Sequence, residues 1–181
     1  MKRRLLILLG LPCLVAAAPV MTFTPLRPRF EPAAQEYRQI WADEGERMIA
    51  AMEAETGLAF PDPEIAVTVY EGVSWTGLGR RPMRMRASYS TEEKRGALVH
   101  ELGHRLVGRL PRPPGIDHHR LLNLFLYDVW TELYGRDFAD RMVRFERSKG
   151  RVYRAAWDWA LAMTREQRRA RLQALRTAPR R

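Results

Sequence analysis

Apolar residues recur at helical spacing along most of this chain, and at alternate positions over only two short stretches. Pro32 or Ala33 opens a long helix that runs to about Glu55 and stops at Gly57. Tyr37, Ile40, Trp41, Met48, Ile49 and Met52 give it one apolar stripe suited to core packing. Residues 65–70 set Ile, Val and Val against Ala, Thr and Tyr. In residues 83–89, Met83, Met85, Ala87 and Tyr89 alternate with Arg84, Arg86 and Ser88. Both stretches have the period of strands. Gly72 to Arg81 between them reads as a glycine-bearing loop without a phosphate-binding pattern. Ser90-Thr91-Glu92-Glu93 is a capping box that opens a second helix, backed by Ala97, Leu98, Leu102 and Leu106. Gly108, followed by Pro111, Pro113 and Pro114, closes it. A third helix starts at an Asp117 cap, runs from His118 to Tyr134 and is apolar nearly all round. Further helices follow over residues 137–147 and 151–163, and a second capping box at Thr164 starts a last one reaching about Arg176. The pattern predicts an α+β, mostly helical domain over residues 33–163, with a small antiparallel sheet of two or three strands beside the Ser90 helix.

The two ends differ from this body. Lys2, Arg3 and Arg4 precede an apolar run from Leu5 to Val15 and the small residues Ala16, Ala17 and Ala18, the layout of a signal peptide over residues 1–18. An uncleaved anchor reaching about Phe23 is the alternative, which Pro12 and Pro19 disfavour. Residues 19–32 are polar and proline-rich and read as a linker. The protein is therefore expected to be exported, to a periplasm or the medium, or held at a membrane by its N-terminus. Cys13, the one cysteine, falls within the apolar run, so a processed chain holds no thiolate and any metal site must use His, Asp or Glu. The net charge of +10 invites a nucleic-acid partner, but three of those charges sit in the leader and a net +6 lies between Thr164 and Arg181. The body is close to neutral. An anionic membrane surface is the expected partner of this basic C-terminal segment, residues 164–181, and nucleic acid is not.

The candidate chemistry lies in the second helix. His100-Glu101-Leu102-Gly103-His104 places two imidazoles one turn apart on one face, within reach of a single Zn²⁺. Glu101, one step round the helix, can approach a water on that metal without ligating it. The metal makes the water acidic and Glu101 accepts its proton. Gly103 costs roughly 1 kcal/mol of helix stability relative to Ala, which makes sense if another backbone comes close.

These residues resemble the zincin metallopeptidases, and among them the thermolysin-like gluzincins. The resemblance is specific at residues 100–104, loose over residues 83–135, and lacks the metzincin extension, since Val107 and Leu110 stand where that pattern has Gly and His. It implies a minimal zincin-like domain that hydrolyses peptide bonds with zinc, an edge strand (residues 83–89 here) that pairs with extended substrate, and a third ligand, a carboxylate from a downstream helix. On the helix begun at His118, the residues His118, Leu121, Phe125, Asp128 and Glu132 share one face by 3-4-3-4 spacing. Position favours Asp128 as the ligand, with Glu132 one turn later orienting a histidine. Residue type favours Glu132, and His118 lies nearer the turn. Tyr127, Tyr134 and Tyr153 are candidate donors to an oxyanion.

Two other functions fit the same residues. The zinc could be purely structural, in an envelope protein that acts through its basic tail. Alternatively, the chain could be a protease acting on DNA-bound proteins, of the kind whose third ligand is a histidine about fifteen residues on; His118 and His119 stand fourteen and fifteen residues after His104, although the export signal disfavours this reading.

Overall fold

A computed structural model describes residues 18–77 and 81–178. Most of the expected signal segment, and the three residues at the C-terminus, lie outside the described residues. Among those described, no helix is long and apolar enough to cross a membrane.

Three strands, β1 (Val20–Pro25), β2 (Glu64–Tyr70) and β3 (Met83–Arg86), form one sheet in that order. β1 pairs with β2 in parallel, Val20 opposite Glu64, and β2 pairs with β3 in parallel, Val67 opposite Met83. The expected antiparallel sheet is thus corrected to a parallel one, because period-two alternation records which face a residue takes and not the direction of its strand. The long helix α1 (Glu31–Thr56) is the crossover that makes β1 and β2 parallel. β1 also replaces the expected linker. Of its residues only Phe23 is buried, stacked 5.9 Å from Tyr37 of α1, so the strand carries too little apolar signal to stand out. Among the described residues, the one antiparallel pairing is a bridge between Trp75 and Arg84, which exchange both backbone hydrogen bonds at 2.9 and 2.8 Å.

The helix α2 (Thr91–Val107) lies against the sheet with Leu98 and Leu102 fully buried. The Ser90 hydroxyl accepts from the Glu93 amide and the Glu93 carboxylate accepts from the Ser90 amide at 2.8 Å, as the sequence pattern predicts. The close approach expected at Gly103 is made by side chains rather than by backbone. A Cβ at that position would stand 2.5 Å from Leu122 and 3.3 Å from Phe125.

The third helix breaks in two. α3 (His118–Leu122) starts at the expected Asp117 cap, whose carboxylate accepts from the Arg120 amide. Residues 123–125 form a turn, and α4 (Leu126–Tyr134) follows. The break resets the helical register, which decides where Asp128 and Glu132 point. Then come α5 (Arg136–Ser148), α6 (Arg151–Leu161) and α7 (Arg165–Thr177), the last opened by the Thr164 capping box.

The basic helix α7 spends much of its charge inside the fold. Arg168 is buried and grips the Asp128 carboxylate at 2.7–3.1 Å, while Arg165 and Arg169 both donate to Glu55 of α1 at 2.6 Å. Burial raises the Glu55 pKa, but the hydrogen bonds from Arg169 and Arg165 outweigh it and hold the carboxyl below its ordinary 4.5. A carboxyl with a depressed folded pKa contributes stability that is present above its unfolded pKa and lost as pH falls through the folded one. Acid titration of the melting temperature below about pH 4.5 should therefore show a loss that Glu55→Gln removes. An identical acid slope in that variant contradicts the clamp.

Candidate metal centre

Two helices and one short turn of helix build the centre. α2 supplies His100 and His104 from one face, and their Nε2 atoms lie 3.1 Å apart. α3 supplies His119, whose ring centroid is 5.6 Å from that of His100 and 5.3 Å from that of His104. One nitrogen from each ring falls within 4.8 Å of the others. Two ligands of a tetrahedral zinc stand about 3.3 Å apart at the usual bond length, so the donor set and its spacing fit that ion.

The electrostatics suit neutral donors. Burial and the neighbouring His100 push the His104 pKa well below its ordinary value and that of His119 down to about 4. Both imidazoles are thus uncharged at neutral pH, with a lone pair free. His100 differs: burial disfavours its charge, but the Glu146 carboxylate beside it prevails and raises the pKa. Glu146 lies on α5 with Oε1 2.5 Å from His100 Nδ1, close but off the line of a straight N–H bond, and Oε2 accepts from Trp157 Nε1 at 2.8 Å. Both side chains are almost wholly buried. The carboxylate thereby fixes the ring so that Nε2 faces the other histidines.

Glu101 points into the same space. Burial pushes its carboxyl up to about 7. Its backbone carbonyl accepts from the Thr76 hydroxyl at 2.7 Å, which ties the Trp75 segment to α2. A cleft of about 340 Å³ opens over these groups, lined also by Val73, Trp75, Arg112, His118 and Tyr153.

No family model, curated protein or solved structure matches this chain. The site's chemistry therefore rests on its own residues.

The structure brings together His100, Glu101 and His104, but neither expected carboxylate joins them. Asp128 is held by Arg168, and both Asp128 and Glu132 line a separate cleft with Glu55, Arg165 and Arg169. Neither Asp128 nor Glu132 is grouped with His100 and His104; the third side chain placed beside them is His119, and the turn at residues 123–125 interrupts the single helical register on which the carboxylate assignment depended. His118, the other candidate, sits further out, its ring 6.4 Å from His104 and resting against Arg112. Of the three tyrosines, Tyr127 donates to Asp140 and Tyr134 to Glu44, both away from the cleft, whereas Tyr153 lines it with its ring 4.3 Å from that of His119. The strand at residues 83–89 is not a free edge for substrate: β2 covers one side, and on the other Trp75 takes both backbone groups of Arg84.

Sequence reasoning missed Glu146. Its signal was present, since Phe138, Met142 and Glu146 fall four residues apart on the buried face of an amphipathic helix, where an acid needs a partner. Glu146→Gln should weaken zinc binding by roughly 10- to 100-fold, the usual effect of losing a partner behind a ligand histidine. Competition with a zinc-sensitive chelating dye reads this directly; unchanged affinity would remove Glu146 from the site.

Proposed function

We propose that this protein is a zinc-dependent metallopeptidase acting outside the cytoplasm. The observation that carries the reading is the convergence of His100, His104 and His119 on one point, with the buried Glu101 carboxyl beside it and an open cleft above. The three histidines would hold the zinc. When bound, zinc supplies Lewis acidity to the scissile carbonyl and makes the attacking water acidic. Glu101 accepts the proton of that water as its oxygen adds to the carbonyl carbon. It then delivers the proton to the amine nitrogen as the carbon–nitrogen bond breaks. The Tyr153 hydroxyl, at the rim, donates to the carbonyl oxygen as negative charge gathers there. Glu146 holds the His100 ring throughout. Export is supported by the leader-like sequence of residues 1–18.

A casein or quenched-fluorescence peptide library tests the reading. Protein stripped by chelator should be inert and should recover turnover when zinc is restored. No turnover in either state contradicts it.

One observation favours a second reading. His119 lies fifteen residues after His104, the spacing expected of a protease acting on DNA-bound proteins. A reporter fused after residue 30 separates the two, since cytoplasmic retention supports that reading and export supports ours. A purely structural zinc with a working basic tail draws less support, because Arg165, Arg168 and Arg169 are engaged with Glu55 and Asp128.

A further inference from the structure

The cleft is lined by unlike side chains. Val73 and Trp75 line it as exposed apolar side chains, 72% and 42% accessible. With them stands Arg112, the one arginine or lysine among the described residues that line this cleft. Among those residues it has no carboxylate partner: its guanidinium rests against the His118 ring, which cannot neutralise it. The acid next to His118 in sequence, Asp117, is engaged in capping α3, where its carboxylate accepts from the Arg120 amide. Elsewhere on the fold some arginines are paired, as Arg105 is with Asp62 and Arg141 with Glu92.

The backbone that carries Arg112 is stiff. Pro111 precedes it, Pro113 and Pro114 follow, and the Ile116 amide closes the turn by donating to the Pro113 carbonyl at 3.0 Å. Fixed prolines reduce the backbone freedom that is lost when a ligand is held. Arg112 touches His118, and the His118 ring centroid is 6.4 Å from that of His104. The guanidinium is therefore within about three residues of extended chain of the metal centre. A planar guanidinium at that reach is matched by a carboxylate, which it can grip with two parallel hydrogen bonds.

We propose that Arg112 is the receptor for a carboxylate of the peptide substrate, placed within about three residues of the bond that is cut. This rests on the metallopeptidase reading. The carboxylate is either an Asp or Glu side chain or the C-terminus of the peptide. The first makes the enzyme an endopeptidase selective for acidic sequences, the second one that trims chain ends.

Paired fluorogenic peptides distinguish these sources. One pair differs only in Glu against Gln beside the scissile bond, the other only in a free against an amidated C-terminus. The zinc-loaded wild-type chain should favour the acidic member of one pair by about tenfold or more in kcat/KM, as a charge-assisted contact allows. Arg112→Gln should bring that ratio close to one, and Arg112→Lys should keep part of it. Turnover with no preference in either pair, or a preference that survives Arg112→Gln, overturns the proposal and leaves the peptidase reading standing. Binding of the same peptides to zinc-loaded Glu101→Gln, measured by fluorescence anisotropy, covers the remaining case. If no peptide is cut by the wild type, an acidic preference in binding that Arg112→Gln abolishes supports the carboxylate site while the peptidase reading fails; equal binding of both members overturns the proposal as well.

Discussion

Glu101→Gln is expected to abolish turnover while leaving zinc in place. The carboxylate lies inside the cleft, 6% accessible, between His100 and His104 in sequence but not among the grouped donors. An amide of the same shape preserves packing on both sides and the Thr76 hydrogen bond to the main-chain carbonyl, so neither fold nor metal should suffer. What it removes is the ability to accept and return a proton, a contribution on the order of 10²- to 10⁴-fold. Zinc content and kcat/KM measured on the same preparation check this. Zinc retained with kcat/KM down 100-fold or more agrees with the assignment. Zinc lost would make Glu101 a ligand, and unchanged turnover would leave the reaction without its base.

His119→Ala is expected to remove the metal, and Asp128→Asn is expected to spare it. The first takes away one of three donors on a common point, so its cost in affinity should exceed the roughly 10- to 100-fold of a residue behind the ligands. The second leaves the three imidazoles untouched and instead strands Arg168, buried and formerly gripping Asp128 through two of its nitrogens. Breaking a buried pair on one side costs about 3–5 kcal/mol. The two variants should thus part cleanly: His119→Ala loses zinc with a melting curve close to that of stripped wild type, and Asp128→Asn melts early yet binds zinc as tightly as before. The opposite pattern would restore the carboxylate to the metal.

The elements that carry strong local signals were legible in the sequence. Ser90 and Thr164 capping boxes, the Asp117 cap and the stop at Gly108 all fall where the residue types place them. His100, Glu101 and His104 belong to one helix, so their juxtaposition needs no tertiary information. The third ligand does need it. Its assignment depended on carrying one register from His118 to Glu132, and the three-residue turn after Leu122 is not marked by glycine or proline. The residues there, Asn123, Leu124 and Phe125, are all buried, so packing against α2 sets the break. Strand direction was out of reach for a similar reason, since Ile65, Val67 and Val69 face the core whichever way the neighbour runs. The basic C-terminal helix looked like a surface element because charge counts do not show that Glu55 and Asp128 await three of its arginines.

The central claim is a zinc held by three histidines, and X-ray absorption at the zinc edge of the reconstituted protein tests it most directly. The account predicts one zinc per chain, with multiple-scattering features of three imidazoles and nitrogen distances of about 2.0–2.1 Å. It also predicts that these features weaken in His119→Ala and persist in Asp128→Asn and Glu132→Gln. A first shell with two imidazoles and a protein carboxylate, unaffected by His119→Ala, would contradict it.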